Sequence, residues 1–197
     1  MKKLVLLIII LTFVNGCSIK KTNDLTDAEK FATEYSIKQA EAFKYAELDE
    51  VFQILEDGSG IILFGDSDCE VSNLSIDIFS DVLEKKGVFD VFYYNPKAII
   101  DSKSDDYEKL IDLLDEAIDK DDSDNNNLEL PSIFFVRDGK VIDSNTLKKD
   151  ELLNEDEIYS NTNKEKLRKT YEELVDNYLS YDNKRDEQIW WLILFFL

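Results

Sequence analysis

The stretch Ile61–Phe64 restricts the fold more than any other feature, because all of its residues are apolar. A strand with one solvent-facing side alternates apolar and polar residues, whereas an unbroken apolar run is typical of a strand covered on both faces. In the segment that follows, Leu74, Ile78 and Val82 recur at helical spacing. The chain is therefore expected to place helices on both sides of a sheet.

The rest of the chain continues this alternation of apolar runs and amphipathic segments. Further strands are expected at 88–94, 130–136 and 141–143, the last two joined by a tight turn at Gly139. Helices are expected at 26–46, 47–56, 73–86, 104–120 and 163–181. These elements predict the α/β class, with a central mixed sheet of about four strands flanked by helices and an extra N-terminal helix.

The N-terminus has the composition of a secretory signal. Lys2 and Lys3 precede the apolar run 4–14, which is too short for a membrane-spanning helix of ~20 residues. The run leads into Val-Asn-Gly-Cys, which resembles the lipobox of bacterial lipoproteins and makes Cys17 the expected lipid attachment site. Residues 1–17 are then a lipoprotein signal peptide and 18–25 a polar tether. The alternative is an ordinary secretory signal with an incidental cysteine.

Charge and composition exclude several function classes. The chain has 43 Asp and Glu against 23 Lys and Arg, a net charge of −20, which is unsuited to binding nucleic acid. It has no His, so Ser-His and Cys-His catalysis and the commonest zinc sites are excluded. The acidic segment 119–129 does not match the EF-hand template and is interpreted as a solvated loop. No metal or cofactor is expected.

Three features of the sequence together resemble the thioredoxin superfamily. The segment 61–72 is a strand that runs into a cysteine at the start of a helix, and 130–143 has the order proline loop, strand, Gly turn and closing strand. The third feature is the terminal amphipathic helix. The resemblance covers roughly 47–181. The stretches 92–99 and 131–142 are similar to extracytoplasmic thioredoxin-like proteins of Gram-positive bacteria, a group that includes bacteriocin-associated disulfide isomerases and transport accessory proteins.

This resemblance implies a site built on Cys69, Ser72 and the Leu130–Pro131 pair. In the family the proline is cis and lies against the reactive sulfur, so Leu130 and Pro131 are expected to contact substrate. The chain departs from the family at three positions. Ser72 stands where the second cysteine belongs, Asp68 replaces an aromatic residue, and Leu63 occupies the place of a buried acid.

A Cys-x-x-Ser site limits the chemistry that is open to Cys69. It can form a mixed disulfide, but release needs an external thiol or a second cysteine of the substrate. A helix N-terminus and a hydrogen bond from Ser72 are expected to favour the thiolate, whereas the nearby charges of Asp66, Asp68 and Glu70 oppose it. The simpler alternative is that Cys69 is a small, packed and unreactive residue.

The domain is expected to span 26–182 and to be followed by a polar and then apolar tail, 183–197. The tail is short for a membrane span and could lie in the membrane interface, pack on the domain or be an atypical chain end. The expected function is thiol-disulfide exchange or isomerisation on a protein or peptide, at the extracytoplasmic face of a membrane to which the protein is anchored as a lipoprotein. The alternatives are a catalytically inactive peptide-binding module of the same fold and a degenerate relative with neither role.

Overall fold

The computed structural model describes residues 25–118, 120, 126–147 and 160–195, and only the backbone for 70 and 182–195. The described helices and strands alternate along most of this length. In chain order they are α1 (Asp27–Glu34), β1 (Phe43–Tyr45), α2 (Leu48–Glu56), β2 (Gly60–Phe64), α3 (Glu70–Lys86), β3 (Val91–Tyr94), α4 (Lys97–Ser102), α5 (Asp105–Leu114), a 3-10 turn (Asp115–Ala117), β4 (Ser132–Arg137), β5 (Lys140–Thr146) and α6 (Asn161–Phe195).

The strands form one mixed sheet with helices on both faces, which confirms the expected class. The strand order is β1-β3-β2-β4-β5. Strands β1, β3 and β2 are mutually parallel, whereas β4 runs antiparallel to β2, and β5 antiparallel to β4. The sheet therefore has five strands. The expected number of about four is wrong, because the edge strand β1 was not predicted.

Strand β1 was missed because it lies inside a segment with helical spacing. Helix α1 does begin as expected, with Thr26 and Glu29 forming a reciprocal capping box. It ends at Glu34, however, and Ser36 adopts a left-handed φ of 54°. The Phe43 ring then stacks on Phe31 at a centroid distance of 4.1 Å while its backbone pairs with Val91. Packing against β3 thus overrides the local helical pattern.

Two hydrophobic cores cover the faces of the sheet. Every residue of β2 is buried, as the apolar run predicts. Ile61 and Leu63 belong to the core formed with α1, α3 and α6, whereas Ile62 and Phe64 belong to the core formed with α2 and α5. Successive side chains of β2 therefore point into different cores, which explains why both faces of the strand carry apolar residues.

Helix α6 is longer than the expected 163–181 and packs against α3. Two ion pairs join these helices: Lys86 Nζ to Asp176 Oδ1 at 2.7 Å and Arg168 to Asp81 at 3.3 Å. Within the described part of the chain, no helix is long and apolar enough to cross a membrane. Cys17, the signal peptide and almost all of the tether lie outside the described residues, as does most of the acidic loop 119–129.

The glycine turns give the first testable prediction. Gly87 and Gly139 have nearly equal φ angles of 69° and 70°, but a Cβ at Gly87 meets nothing within 4 Å, whereas one at Gly139 meets the Glu56 carbonyl oxygen at 2.3 Å. Gly87→Ala should lower the free energy of unfolding by about 1 kcal/mol, the strain of a left-handed alanine. Gly139→Ala should lower it by about 2 kcal/mol or more, because backbone must also move. Urea unfolding measures both, and equal losses would contradict this explanation.

Candidate functional site

The sheet brings the two predicted parts of the site to one edge. Strand β2 ends at Phe64 and leads through residues 65–69 into α3. On one side Phe64 pairs with Tyr94, the last residue of β3, and on the other with Ser132, the first residue of β4. Because Pro131 directly precedes Ser132, the Cys69 turn and the proline loop leave the sheet at the same edge.

Cys69 occupies the N-cap position of the 17-residue helix α3. Its backbone is extended, with φ −93° and ψ 119°, its carbonyl accepts from the Asn73 N–H at 3.1 Å, and its thiol is free and partly buried. No side-chain cap bond is made. An N-cap side chain normally reaches the unpaired N–H groups of the first turn. The residue that carries the thiol is therefore the one at which the N-terminal end of the helix begins.

Two hydrogen bonds that involve side chains hold the turn that carries the cysteine, in addition to the backbone bond from the Cys69 N–H to the Asp66 carbonyl at 3.0 Å. The Asp68 N–H donates to Asp66 Oδ1 at 3.2 Å, and the Asn73 side-chain amide donates to the Ser67 carbonyl at 3.1 Å. Sequence reasoning missed Asn73. The sequence indicated this role only by placing a polar residue in the first turn of the helix. Such a side chain can bind the backbone of the loop that precedes the helix.

Ser72 is completely buried, and its hydroxyl has no hydrogen-bond partner among the described residues. The expected hydrogen bond from Ser72 to the Cys69 sulfur is therefore wrong in this structure. The helix turns Ser72 into the protein interior, while Cys69 stays partly accessible at the cap. A buried hydroxyl without a partner is destabilising by about 1–3 kcal/mol, so nothing in the described packing explains a serine here.

The proline loop is anchored by backbone and side-chain hydrogen bonds. The Leu130–Pro131 peptide bond is cis, which confirms what the resemblance implied. The Pro131 carbonyl accepts from the Leu147 N–H at 3.1 Å, and the Ser132 hydroxyl donates to the Glu129 carbonyl at 2.6 Å. Pro131 is buried and Leu130 is half-buried against the core of α2 and α5. The loop therefore presents a fixed backbone shape at the site edge.

A cluster of tyrosines, absent from the sequence expectations, lies beside this edge. The Tyr35 hydroxyl donates to the Tyr93 hydroxyl at 3.0 Å, and Tyr93 donates to Glu34 Oε1 at 2.7 Å. Tyr45 donates to the other Glu34 oxygen. Tyr35 and Tyr93 are only 3% and 1% exposed. Burial raises the pKa of Tyr35, Tyr93 and Tyr45 above the ordinary tyrosine value, and the bond to Glu34 raises the pKa of Tyr93 and Tyr45 further.

Gly65 links the tyrosine cluster to the cysteine turn. A Cβ at this position would lie 2.8 Å from the Tyr35 hydroxyl oxygen. The first residue of the turn therefore has to be glycine for the chain to pass so close to Tyr35. The Tyr93 ring would lie 3.4 Å from the same Cβ, so two members of the cluster border the first residue of the turn.

Lys97 was also missed, and it changes the charge balance of the turn. The pKa of Lys97 is raised mainly by its hydrogen bond and charge interaction with Asp101, with smaller contributions from Asp66 and Asp68. Its ammonium therefore lies within electrostatic range of the turn acids and partly offsets them. The sequence-based expectation that Asp66, Asp68 and Glu70 oppose the thiolate did not include this cation.

Comparisons with known proteins identify no relative of this chain: no family model, no curated protein and no solved structure matches it. In the described ranges, no group of three or more cysteine and carboxylate side chains could hold a metal ion. The candidate site therefore consists of Cys69, the proline loop and the residues around them.

The close approach at Gly65 predicts a measurable coupling with Tyr35. Gly65→Ala should lower the free energy of unfolding by about 1–3 kcal/mol, because the new methyl group overlaps the Tyr35 hydroxyl. In a Tyr35→Phe background the overlapping oxygen is gone, and the loss should be smaller by about 1 kcal/mol. Urea unfolding of the four chains in a double-mutant cycle measures the difference, and an unchanged loss would show that the overlap is not the cause.

Proposed function

We propose that this chain is a membrane-tethered extracytoplasmic protein with a thioredoxin-like fold, which carries out thiol-disulfide exchange or isomerisation through Cys69. The observation that supports this best is the pairing of Phe64 with Ser132, since it sets the cysteine turn and the cis Leu130–Pro131 bond at one sheet edge. The mixed sheet and the helix that starts after Cys69 also agree with the thioredoxin resemblance.

The reaction begins with the Cys69 thiolate attacking one sulfur of a substrate disulfide. A new bond forms between Cys69 Sγ and that sulfur while the substrate S–S bond breaks, and the second substrate sulfur leaves as a thiolate that takes up a proton. The attacking sulfur belongs to the N-cap residue of α3 and is partly accessible. The Leu130–Pro131 loop is the neighbouring backbone against which an extended substrate segment would lie.

The mixed disulfide cannot be resolved within the site, because Ser72 has no thiol. The thiolate of another substrate cysteine can attack the substrate sulfur that is bonded to Cys69. This forms a new substrate disulfide and returns Cys69 to the thiolate. The number of disulfides is then unchanged, so isomerisation needs no oxidant or reductant. Alternatively an external thiolate attacks Cys69 Sγ, which releases the substrate as a dithiol and leaves the external sulfur bonded to Cys69; a second external thiolate then attacks that sulfur, restores Cys69 and leaves as a disulfide with the first. Isomerisation suits this chain best, since it is complete without a second enzyme thiol.

A second candidate is a binding module that holds an extended peptide at the same edge without chemistry. It is favoured by the Ser72 hydroxyl, which is buried and does not bond to the Cys69 sulfur. In this case the anchored proline loop provides the binding surface, and Cys69 is a packed residue. Cys69→Ala distinguishes the candidates, because it abolishes exchange but leaves peptide binding intact.

A trapping experiment tests the exchange proposal. Incubated with a scrambled disulfide protein, the wild-type chain should accumulate a mixed disulfide at Cys69 that non-reducing electrophoresis detects. Ser72→Cys should accumulate at least about tenfold less, because a second thiol at this spacing releases the substrate by forming an internal disulfide. Ser72→Ala is the matched control and should trap as the wild type does, whereas Cys69→Ala should trap nothing.

One result of this experiment would count against exchange. If the folded wild-type chain forms no adduct while the urea-unfolded chain does, the thiol is shielded and the binding module is favoured. Equal adduct in Ser72→Cys and Ser72→Ala would contradict only the expected dithiol geometry of positions 69 and 72, not exchange through Cys69. The alkylation rate of Cys69 with a small haloacetamide, folded and unfolded, shows whether access or reactivity is responsible.

The membrane tether has its own test. Expressed in a bacterial host that processes lipoproteins, the chain should incorporate labelled fatty acid, and Cys17→Ser should not. Cys69→Ser is the matched control, because it removes the other cysteine and should leave the incorporation unchanged. Equal label in the Cys17→Ser and wild-type chains would overturn the lipoprotein assignment.

A further inference from the structure

The C-terminal part of helix α6 extends well beyond the contact that Tyr178 makes with Arg137 of the domain. In this contact the Tyr178 carbonyl accepts a hydrogen bond from the Arg137 guanidinium at 3.2 Å, and the guanidinium stacks on the Tyr178 ring at 3.8 Å. The helix then continues to Phe195. This adds about 25 Å of helix beyond Tyr178, at a rise of 1.5 Å per residue.

The sequence of this extension changes abruptly from polar to apolar. Residues 182–188 are all polar or charged, whereas every residue from 189 to 197 is apolar. A helix that packs on its own domain keeps a polar stripe for solvent, as α6 does before Tyr181, where exposed and buried residues alternate. A segment that is apolar on all sides has no such stripe, so it needs an apolar environment all round.

The length and the aromatic residues of the segment match one side of a bilayer. The helical residues 189–195 rise about 10 Å along the helix axis, so they fit within one leaflet, which is half of the ~30 Å hydrocarbon core. Trp190 and Trp191 lie next to the polar run, and tryptophan prefers the level of the lipid headgroups.

We propose that residues 189–197 insert into one leaflet of a phospholipid membrane and form a second attachment, separate from Cys17. The matching lipid is zwitterionic, because a net charge of −20 repels an anionic surface. The polar run 182–188 then lies in the headgroup region, and the tryptophans mark the boundary between headgroups and hydrocarbon. The proposal does not depend on the chemistry of Cys69.

Tryptophan fluorescence tests the proposal on the full chain. The chain has two Trp, both in this segment, so its tryptophan emission reports on residues 190 and 191 alone. Adding phosphatidylcholine vesicles should shift the emission to shorter wavelength. Lipids brominated near the headgroup end of the acyl chain should quench it more than lipids brominated near the chain end. Vesicles rich in phosphatidylserine should give a smaller shift at low salt.

A matched pair of variants separates this segment from the rest of α6. Ile193→Lys places a charge inside the apolar segment and should weaken vesicle partitioning of the tryptophans at least about tenfold. Leu179→Lys places the same charge on the same helix at a residue that is 47% exposed in the domain, and should leave the partitioning unchanged. Circular dichroism confirms that both variants keep their helix content.

Three results would overturn the proposal. Tryptophan emission that stays at long wavelength while the chain co-sediments with vesicles would show that only the N-terminus is inserted. Emission that is already shifted without vesicles, and that shifts further with protein concentration, would show that a second copy of the chain covers the segment. Quenching that is strongest from chain-end bromines would show a spanning rather than a one-leaflet position.

Discussion

Strand β2 is the element on which the rest of the structure depends, because it is buried along its whole length and paired on both sides. Its alternate residues divide the two hydrophobic cores, so a polar substitution on either face would leave an uncompensated group in the interior. Its last residue, Phe64, pairs with both neighbouring strands. The register at this single residue decides that the Cys69 turn and the cis-proline loop leave the sheet at the same edge, and a slip of one residue would move the side chains of the slipped strand to the opposite face.

The tyrosine cluster has a supporting role beside this edge. Three tyrosine hydroxyls and the Glu34 carboxylate bond to one another, and the raised pKa values of the tyrosines keep their hydroxyls protonated at ordinary pH. Tyr35 and Tyr93 are buried, so their paired hydroxyls hold a single geometry, whereas Tyr45 and Glu34 lie at the exposed end of the cluster. Through Gly65 that geometry borders the start of the cysteine turn. The cluster is thus placed to position the turn without itself facing the thiol.

The sequence alone predicted the elements that have a local pattern, and it predicted where Cys69 and Pro131 lie within them. Strand β2, helix α3, the hairpin at Gly139 and the positions of Cys69 and Pro131 follow from periodicity, turn residues and resemblance. Strand β1 did not, because pairing with β3 decides its conformation against its own helical spacing. The tyrosine bonds join residues 58 and 59 positions apart, which no local pattern shows. The inward turn of Ser72 depends on how α3 packs, so a hydrogen bond expected from spacing alone was wrong.

The two proposed attachments leave the domain at opposite edges of the sheet. Asp27, at the start of α1, accepts a hydrogen bond from the Tyr45 N–H at the carboxyl end of β1, which is the edge that holds Cys69. Helix α6 leaves beside Arg137, which lies at the other edge because β4 runs antiparallel to β2. A tether of residues 18–25 reaches at most about 28 Å when extended. This exceeds the length of about 17 Å of the five-residue strand β2, so the two proposed attachments are compatible with each other while α6 is directed into the lipid.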